Sequence, residues 1–248
     1  MSRPLTLVTG GTRGIGAATA RLLAGAGHDL VLGHARDDAA AEEVRAACAD
    51  LGAACRVVRA DLTAPDGPAS LFAAAREAGV LTGVVNNAGA TLHIATLAET
   101  PVDVVRRSVD LNLTAALLVA REAVRVMGRS RGGVGGVLVN ISSGAATLGA
   151  PGEYVHYAAA KAGIDALTVG LAQEVAHDGV RVVGVAPGIV ETRIHEDAGE
   201  SGRVERVGPL VPLGRAGRPA EIAEAVAWLL SGAASYVTGT TLRVAGGR

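Results

Sequence analysis

Short apolar runs alternate with longer amphipathic stretches along almost the whole chain. Runs of four to eight β-branched and aliphatic residues bounded by turn formers read as buried strands, and apolar residues at three- and four-residue spacing read as helices. On that basis strands are predicted over 5–9, 30–33, 55–60, 84–87, 137–141, 181–186 and 241–244. Helices are predicted over 17–26, closed by Gly27, then over 39–51 with Asp37 or Asp38 as N-cap, and over 68–78. A long helical region is predicted from Thr100-Pro101 to Met127, with Thr100 as cap and Pro101 in the first turn. A loop over 132–136, a helix from Tyr157 to about Ala176 and another over 220–230 complete the series. Strands alternating with helices of this length predict an α/β fold, a doubly wound parallel sheet with helices on both faces. No repeat, low-complexity tract or linker interrupts the series, so one domain over 1–248 is expected.

Composition narrows this picture. Nearly half of the 248 residues are apolar but only 2% are aromatic, so the core is built from Ala, Val, Leu and Ile. A net charge of −1 without a basic block argues against nucleic acid as partner. No apolar stretch is long enough to span a bilayer, and Met1-Ser2-Arg3-Pro4 does not read as a signal peptide. Two cysteines, Cys48 and Cys55, form neither a disulfide framework nor a metal-ligand cluster. A cytoplasmic location is expected, with no membrane partner. The six histidines show no His-x-x-x-His pair for zinc, and no Gly-x-Ser-x-Gly elbow for a serine hydrolase occurs.

Two stretches carry candidate chemistry. Lys161 is the only lysine in a chain that otherwise uses arginine for positive charge. Arginine is a planar fork that stays protonated, whereas lysine is a compact point charge. Tyr157 precedes it by four residues, so phenol and ammonium share a helix face. A cation about 5 Å from a phenolate is worth roughly 3 kcal/mol at an effective dielectric near 20. Bringing a tyrosine pKa from about 10 to neutrality needs roughly 4 kcal/mol. One lysine supplies most of that shift, and a second positive group would complete it. The bland alternative is a surface tyrosine beside a solvated lysine. The second stretch is Gly10-Gly11-Thr12-Arg13-Gly14-Ile15-Gly16, at the end of the first strand. Glycines there allow a tight turn and close backbone approach, and the following helix N-terminus faces a pyrophosphate.

Thr9 through Gly16, Asn86-Asn87-Ala88-Gly89, Asn112, Asn140-Ile141-Ser142-Ser143, Tyr157-x-x-x-Lys161 and Pro187-Gly188 occur in an order and spacing that resembles the short-chain dehydrogenase/reductase family. The resemblance covers essentially the whole chain and lies nearest the bacterial sugar-dehydrogenase-like and acyl-carrier-protein-reductase-like oxidoreductases. It implies a Rossmann fold and hydride transfer between a nicotinamide dinucleotide and a carbonyl or secondary alcohol. Tyr157 would then be general acid or base, and Lys161 would hold the nicotinamide ribose. Ser143 would bind the substrate oxygen, and Asn112 would hold a water that links Lys161 to solvent. Helix capping is the alternative for Asn112. Gly10, Thr12, Arg13, Gly14, Ile15 and Gly16 would form the cofactor turn. Asn87, Ala88 and Gly89 would line the adenosine side, with Asp61 and Leu62 near adenine, although Asp61 also reads as a loop cap. Pro187, Gly188, Ile189 and Thr192 would touch the carboxamide and pyrophosphate, and Tyr154 the substrate. No metal is implied. One departure is visible: Val183 stands where the family usually has asparagine. The rival reading is a dinucleotide-binding redox sensor or scaffold without turnover.

Cofactor choice turns on the second strand. His34 follows it where an acidic residue would hold an NAD ribose, and Arg36 and Arg13 are suited to a 2′-phosphate. NADP(H) is therefore favoured, with NAD(H) open because Asp37 and Asp38 could reach a ribose. Residues 190–212 are expected to form a lid rich in charge, with Gly199 and Gly202 as possible hinges. A polar lid suits a small or hydroxylated carbonyl compound. Alternatively those charges are solvated and 90–94, 145–149 and Tyr154 line the pocket. His156 is expected to be an ordinary exposed or interface residue. Apolar positions around the helices bearing Ala115–Ala120 and Ala162–Leu171 exceed what one buried face needs. The resemblance places these helices in a subunit interface, and a homotetramer is expected.

Overall fold

The computed structural model describes residues 3–248. Strands β1 (Leu5–Thr9), β2 (Asp29–His34), β3 (Cys55–Arg59), β4 (Leu81–Asn86), β5 (Gly136–Ile141), β6 (Val180–Pro187) and β7 (Thr241–Val244) form one parallel sheet in the order β3-β2-β1-β4-β5-β6-β7. The helices are α1 (Gly14–Gly25), α2 (Asp38–Asp50), α3 (Gly67–Ala78), α4 (Val102–Val109), α5 (Ala115–Met127), α6 (Ala145–Leu148), α7 (Val155–Val175), α8 (Arg203–Val207) and α9 (Pro219–Leu230). This is the doubly wound Rossmann arrangement expected from the alternation of runs.

Successive residues of each strand face opposite sides of a sheet, and the core divides accordingly. Leu7, Val84, Leu138 and Val182 pack with Leu71 and Phe72 of α3, Val119 and Met127 of α5, and Val175 of α7. Their neighbours Val8, Val85, Val139 and Val183 pack with Leu23 of α1, Val44 of α2 and Val226 of α9. In register, Leu7 sits between Val31 and Val84, and Val139 sits between Val85 and Val183. Burial on both faces explains why these strands read as continuous apolar runs. Val183 is fully buried in that second layer. An aliphatic side chain there packs without leaving a buried amide to be satisfied.

The long helical region expected from Thr100-Pro101 runs without a break from Val102 to Met127, but its start and its middle differ from a regular helix. Thr100 does not cap it, because its hydroxyl donates to the Thr96 carbonyl at 2.9 Å. Pro101 takes the cap position in extended conformation (ψ 142°). Between α4 and α5, residues Asp110–Thr114 form a π turn in which the Ala115 N–H reaches back to the Asp110 carbonyl. Such bulges insert one extra residue and turn a side chain out of register. The residue presented here is Asn112. Of the two cap candidates before α2, Asp37 accepts from Ala40 N–H at 3.0 Å.

Strand order reverses between β1 and β4, and ligands of such sheets bind outside the carboxyl ends at that point. The loops after β1, β2, β4, β5 and β6 meet there.

Candidate active site

A cleft of about 1480 Å³ opens above the carboxyl ends of the strands and takes in nearly all of the predicted site residues. Its floor is the glycine turn. Gly10 and Gly14 have φ of 60° and 50°, conformations that disfavour side chains. A Cβ on Gly16 would lie 2.1 Å from the Gly10 carbonyl oxygen, so only glycine lets α1 start this close to the turn. Thr9 and Asn87 lock the turn to the loop after β4. The Thr9 hydroxyl accepts from the N–H groups of Asn87 and Ala88 at 2.8 and 2.9 Å, and Asn87 Nδ2 donates to the Thr9 and Gly10 carbonyls. The first turn of α1 carries no acidic residue, so its positive end is not neutralised from within. Thr12, Arg13 and Ile15 line the cleft beside it. A cradle that a Cβ would fill, at a helix N-terminus, fits a dinucleotide pyrophosphate.

Beyond the floor stand the residues with chemistry. Ser142 and Ser143 follow β5 and diverge. Ser142 is buried and its hydroxyl donates to the Lys161 carbonyl at 3.3 Å, on α7. Ser143 lines the cleft and its hydroxyl accepts from Ala145 N–H at 3.1 Å. Tyr157 and Lys161 project from one face of α7, and both are buried. Lys161 Nζ lies 5.7 Å from the centre of the Tyr157 ring and donates to the Ile141 carbonyl at 2.8 Å. Burial depresses its pKa to about 8, opposed by Asp165. The phenol of Tyr157 moves the other way: burial pushes it above its ordinary value, and the Ser143 hydroxyl only partly pulls it back. This corrects the expectation of a lowered phenol. In the protein alone desolvation dominates, and the ammonium gives its hydrogen bond to the Ile141 carbonyl. Asn112 accepts from Ala90 N–H at 3.1 Å and donates to the Ala90 and Ser108 carbonyls at 2.9 and 3.0 Å. Its side chain therefore fixes the loop after β4. Gly89 is held so tightly there that a Cβ would lie 2.7 Å from Asn112 Oδ1 and 3.3 Å from Lys161 Nζ.

The far end of the cleft is basic. Asp37 is occupied as a helix cap, and Asp38 lies 3.7 Å from His34 Nδ1 and 3.5 Å from Arg59. Among the described residues Arg36 has no carboxylate partner, although it is close enough to Asp61 to help hold that carboxyl below its usual range. The main cause of that lowering is Thr63, whose hydroxyl and N–H both donate to Asp61 Oδ1. Leu62 is buried beside it. On the opposite wall, Gly188 follows β6 where a Cβ would lie 2.9 Å from Ala245, and Ile189 follows it into the cleft. Pro187 accepts from Gly144 N–H at 2.7 Å, and the Thr192 side chain packs over Gly14.

Comparison with known proteins agrees with this geometry. A family model described as enoyl-(acyl carrier protein) reductase matches residues 10–248. The oxidoreductase YgfF of Escherichia coli (strain K12) is 43% identical over 98% of this chain and 99% of its own. A cis-4-hydroxycyclohexanecarboxylate dehydrogenase of Sinomonas cyclohexanicum is 40% identical over 98% of this chain and 95% of its own. The structure of a short-chain dehydrogenase/reductase from Serratia marcescens BCRC 10948 superposes with a TM-score of 0.89 at 31% identity, covering 98% of this chain and 97% of that one. The chain belongs to the short-chain dehydrogenase/reductase family. It is a nicotinamide-dinucleotide-dependent oxidoreductase of carbonyl and alcohol groups, and nothing favours a non-catalytic scaffold.

The substrate side of this dehydrogenase/reductase brings the lid charges into ion pairs. Lid charges pair among themselves and with the loop before α7. Arg203 is only 2% exposed and donates to Glu153 and Glu200, while Arg206 donates to Glu200. Arg193 lies 3.9 Å from both Glu196 and Asp197, and Arg13 lies 3.6 Å from Asp197. Ala90, Leu92, Ala145, Leu148 and Tyr154 line the cleft, and so do Arg193, His195 and Asp197 of the lid. Tyr154 meets the Tyr157 ring edge-on with centroids 5.6 Å apart and stacks on His195 at 6.2 Å. His156 is buried rather than exposed, with Nε2 3.3 Å from the Thr91 carbonyl. Thr91 also donates to the Ile194 carbonyl at 3.0 Å, joining the lid to the loop after β4. Neither Thr91 nor Arg203 stood out in the sequence as a site residue. Glu200 and Arg203 at three-residue spacing were the one available signal, and Glu153 is fifty positions away.

Proposed function

We propose that the chain is an NADPH-dependent carbonyl reductase whose reverse reaction oxidises a secondary alcohol. The observation that carries it is the convergence of Ser143, Tyr157 and Lys161 on one end of the cleft, while the Ser142 hydroxyl is taken by the Lys161 carbonyl. Tyr157 is the general acid for reduction and the base for oxidation. Burial keeps the phenol protonated in the protein alone, and positive charge gathered beside it eases the loss of that proton. Ser143 donates to the substrate oxygen and sets it beside the phenol. Lys161 steadies the ribose and offers positive charge as the phenol loses its proton. Asn112 fixes the backbone between Gly89 and Ala90, and a water held there would return the proton from solvent. When bound, the nicotinamide supplies or takes up the hydride and, once oxidised, adds positive charge near the phenol.

Gly10, Thr12, Arg13, Gly14, Ile15 and Gly16 hold the pyrophosphate. Asn87, Ala88 and Gly89 line the adenosine, Asp61 and Leu62 the adenine, and Pro187, Gly188, Ile189 and Thr192 the nicotinamide end. The NADPH preference rests on Arg36, which has no carboxylate partner among the described residues, and on the occupation of Asp37 and Asp38 by other partners. His34 stands where an acidic residue would otherwise select NADH.

The chain acts as one catalytic domain with 190–212 as its lid, in the cytoplasm, on a small carbonyl or alcohol substrate. It assembles as a homotetramer. Leu117 and Leu118 of α5 and Val169 of α7 remain exposed by 42%, 36% and 44% although the other sides of both helices are buried, which supports that assembly. NADPH oxidation against a panel of ring and open-chain ketones tests the reading, and the Sinomonas relative's name puts a hydroxycyclohexane carboxylate on that panel. No turnover with any carbonyl would refute it.

A further inference from the structure

Three loops bound the substrate side of the cleft: 90–95, 150–154 and 193–207. They meet at one ion pair. The backbone carbonyl of Glu153 accepts from Ala95 N–H at 2.8 Å, and its carboxylate receives both terminal nitrogens of Arg203. Arg203 lies at the start of a helix of five residues in the lid, yet its side chain is almost completely buried. Its guanidinium also donates to Glu200 at 2.9 Å and to the Tyr154 hydroxyl at 2.8 Å, and its centre lies 5.0 Å from the Tyr154 ring. A buried guanidinium is strongly unfavourable unless acceptors surround it. Here two carboxylates and a phenol do so, and only Nε lacks a partner. The bidentate fork onto Glu153 sets direction as well as distance. Tyr154, clamped in this way, packs at a right angle to the Tyr157 ring and stacks on His195.

We infer that Arg203 is a positioning residue of the substrate pocket: by gripping Glu153 and the Tyr154 hydroxyl together, it docks the lid and fixes the aromatic wall that aims the substrate carbonyl at Tyr157. The inference rests on the oxidoreductase reading of the site for its kinetic consequences, but the docking itself is separate from turnover. Glu153 lies only one residue before Tyr154, so one guanidinium reaches both the backbone hub and the wall. The glycine turn and the pyrophosphate cradle are not part of this cluster. Arg203 itself touches neither, although Asp197 of the lid meets Arg13, so its loss acts chiefly on substrate.

Arg203→Met, Arg203→Lys, Tyr154→Phe and the Arg203→Met/Tyr154→Phe double variant test this, each with NADPH titration and hydrogen exchange. Arg203→Met raises KM for the carbonyl substrate on the order of tenfold, with kcat changed less and NADPH affinity unchanged. Arg203→Lys recovers part of the loss. If Arg203 acts through Tyr154, the double variant is no worse than the poorer single one. Additive effects, or an unchanged KM, overturn the proposal. Hydrogen exchange over 193–207 needs no substrate. It should quicken in both Arg203→Met and Tyr154→Phe while strand amides stay protected, and unchanged exchange overturns the docking role. Tyr154→Phe removes a single hydroxyl and keeps the ring, so it reports even if Arg203→Met fails to fold. A wild-type chain inert toward every carbonyl would sink the oxidoreductase reading and leave the exchange result standing on its own.

Discussion

Lys161 and Tyr157 share a face of α7, yet the ammonium donates to the Ile141 carbonyl at 2.8 Å and stands 5.7 Å from the centre of the phenol ring. The lysine is thus moored to the end of β5 and poised beside the tyrosine. Both groups are desolvated, and each is shifted toward its neutral form.

That arrangement sets how stability varies in alkali. Lys161 in the folded protein gives up its proton at about 8, below the usual 10.5. Between those values the unfolded chain binds the extra proton, so the contribution of this residue to unfolding free energy rises with pH. Below pH 8 the full penalty of a buried charge is present. Denaturant melts of the cofactor-free protein at pH 8 and pH 10 should show this rise in the wild type and a smaller one in Lys161→Met.

On the acid side His195 takes the part of indicator. Burial, with Arg203 adding to it, depresses its pKa to about 4 from 6.5. The unfolded imidazole takes a proton as pH falls below 6.5, and the folded one does so only near 4. Stability that is present above pH 6.5 should therefore decline through this window. His195→Gln should reduce that decline, as measured by melts between pH 4 and pH 7.

Two glycines with different surroundings give opposite effects. A Cβ on Gly89 would crowd Asn112 and Lys161, whereas one on Gly25, near the end of α1, meets nothing within 4 Å. Gly89→Ala should lower stability by about 1–3 kcal/mol and impair turnover. Gly25→Ala should raise stability by roughly 0.5–1 kcal/mol and leave activity alone. Thermal melts and steady-state rates check both.

At the adenosine end, Arg36 should discriminate between cofactors. Hydrogen bonds to a charged group are worth about 1.5–3 kcal/mol, so Arg36→Ala should weaken NADPH by about 10- to 100-fold with little change for NADH. Equal losses for both, or tighter NADH binding by the wild type, would remove the basis for the NADPH assignment.

Much of this was legible in the chain. Strand runs such as Leu5–Thr9 and Thr241–Val244 are bounded by turn formers and were found at their true limits. The family resemblance pointed to Ser143, and the hydroxyl of its neighbour Ser142 is taken by the Lys161 carbonyl. Other features were hidden because their partners are remote. Thr100-Pro101 has the composition of a helix start, but Thr96, four residues upstream, takes the threonine hydroxyl. The π turn at Asn112 leaves no mark in periodicity, since it follows from the grip of that side chain on Ala90. Lid charges look solvated in sequence, and only folding brings Glu153 to Arg203. The Tyr157 phenol was expected to be lowered because spacing reports the nearby ammonium and says nothing of desolvation.

The central claim is that Tyr157 moves the proton, and the most direct test compares Tyr157→Phe with Tyr154→Phe. Both remove one hydroxyl from rings that touch each other, so packing is nearly matched. Steady-state turnover of a reducible carbonyl with NADPH should fall by about 10²- to 10⁴-fold in Tyr157→Phe, with NADPH binding by fluorescence titration retained. Tyr154→Phe should alter KM chiefly. Wild-type turnover in Tyr157→Phe would contradict the account.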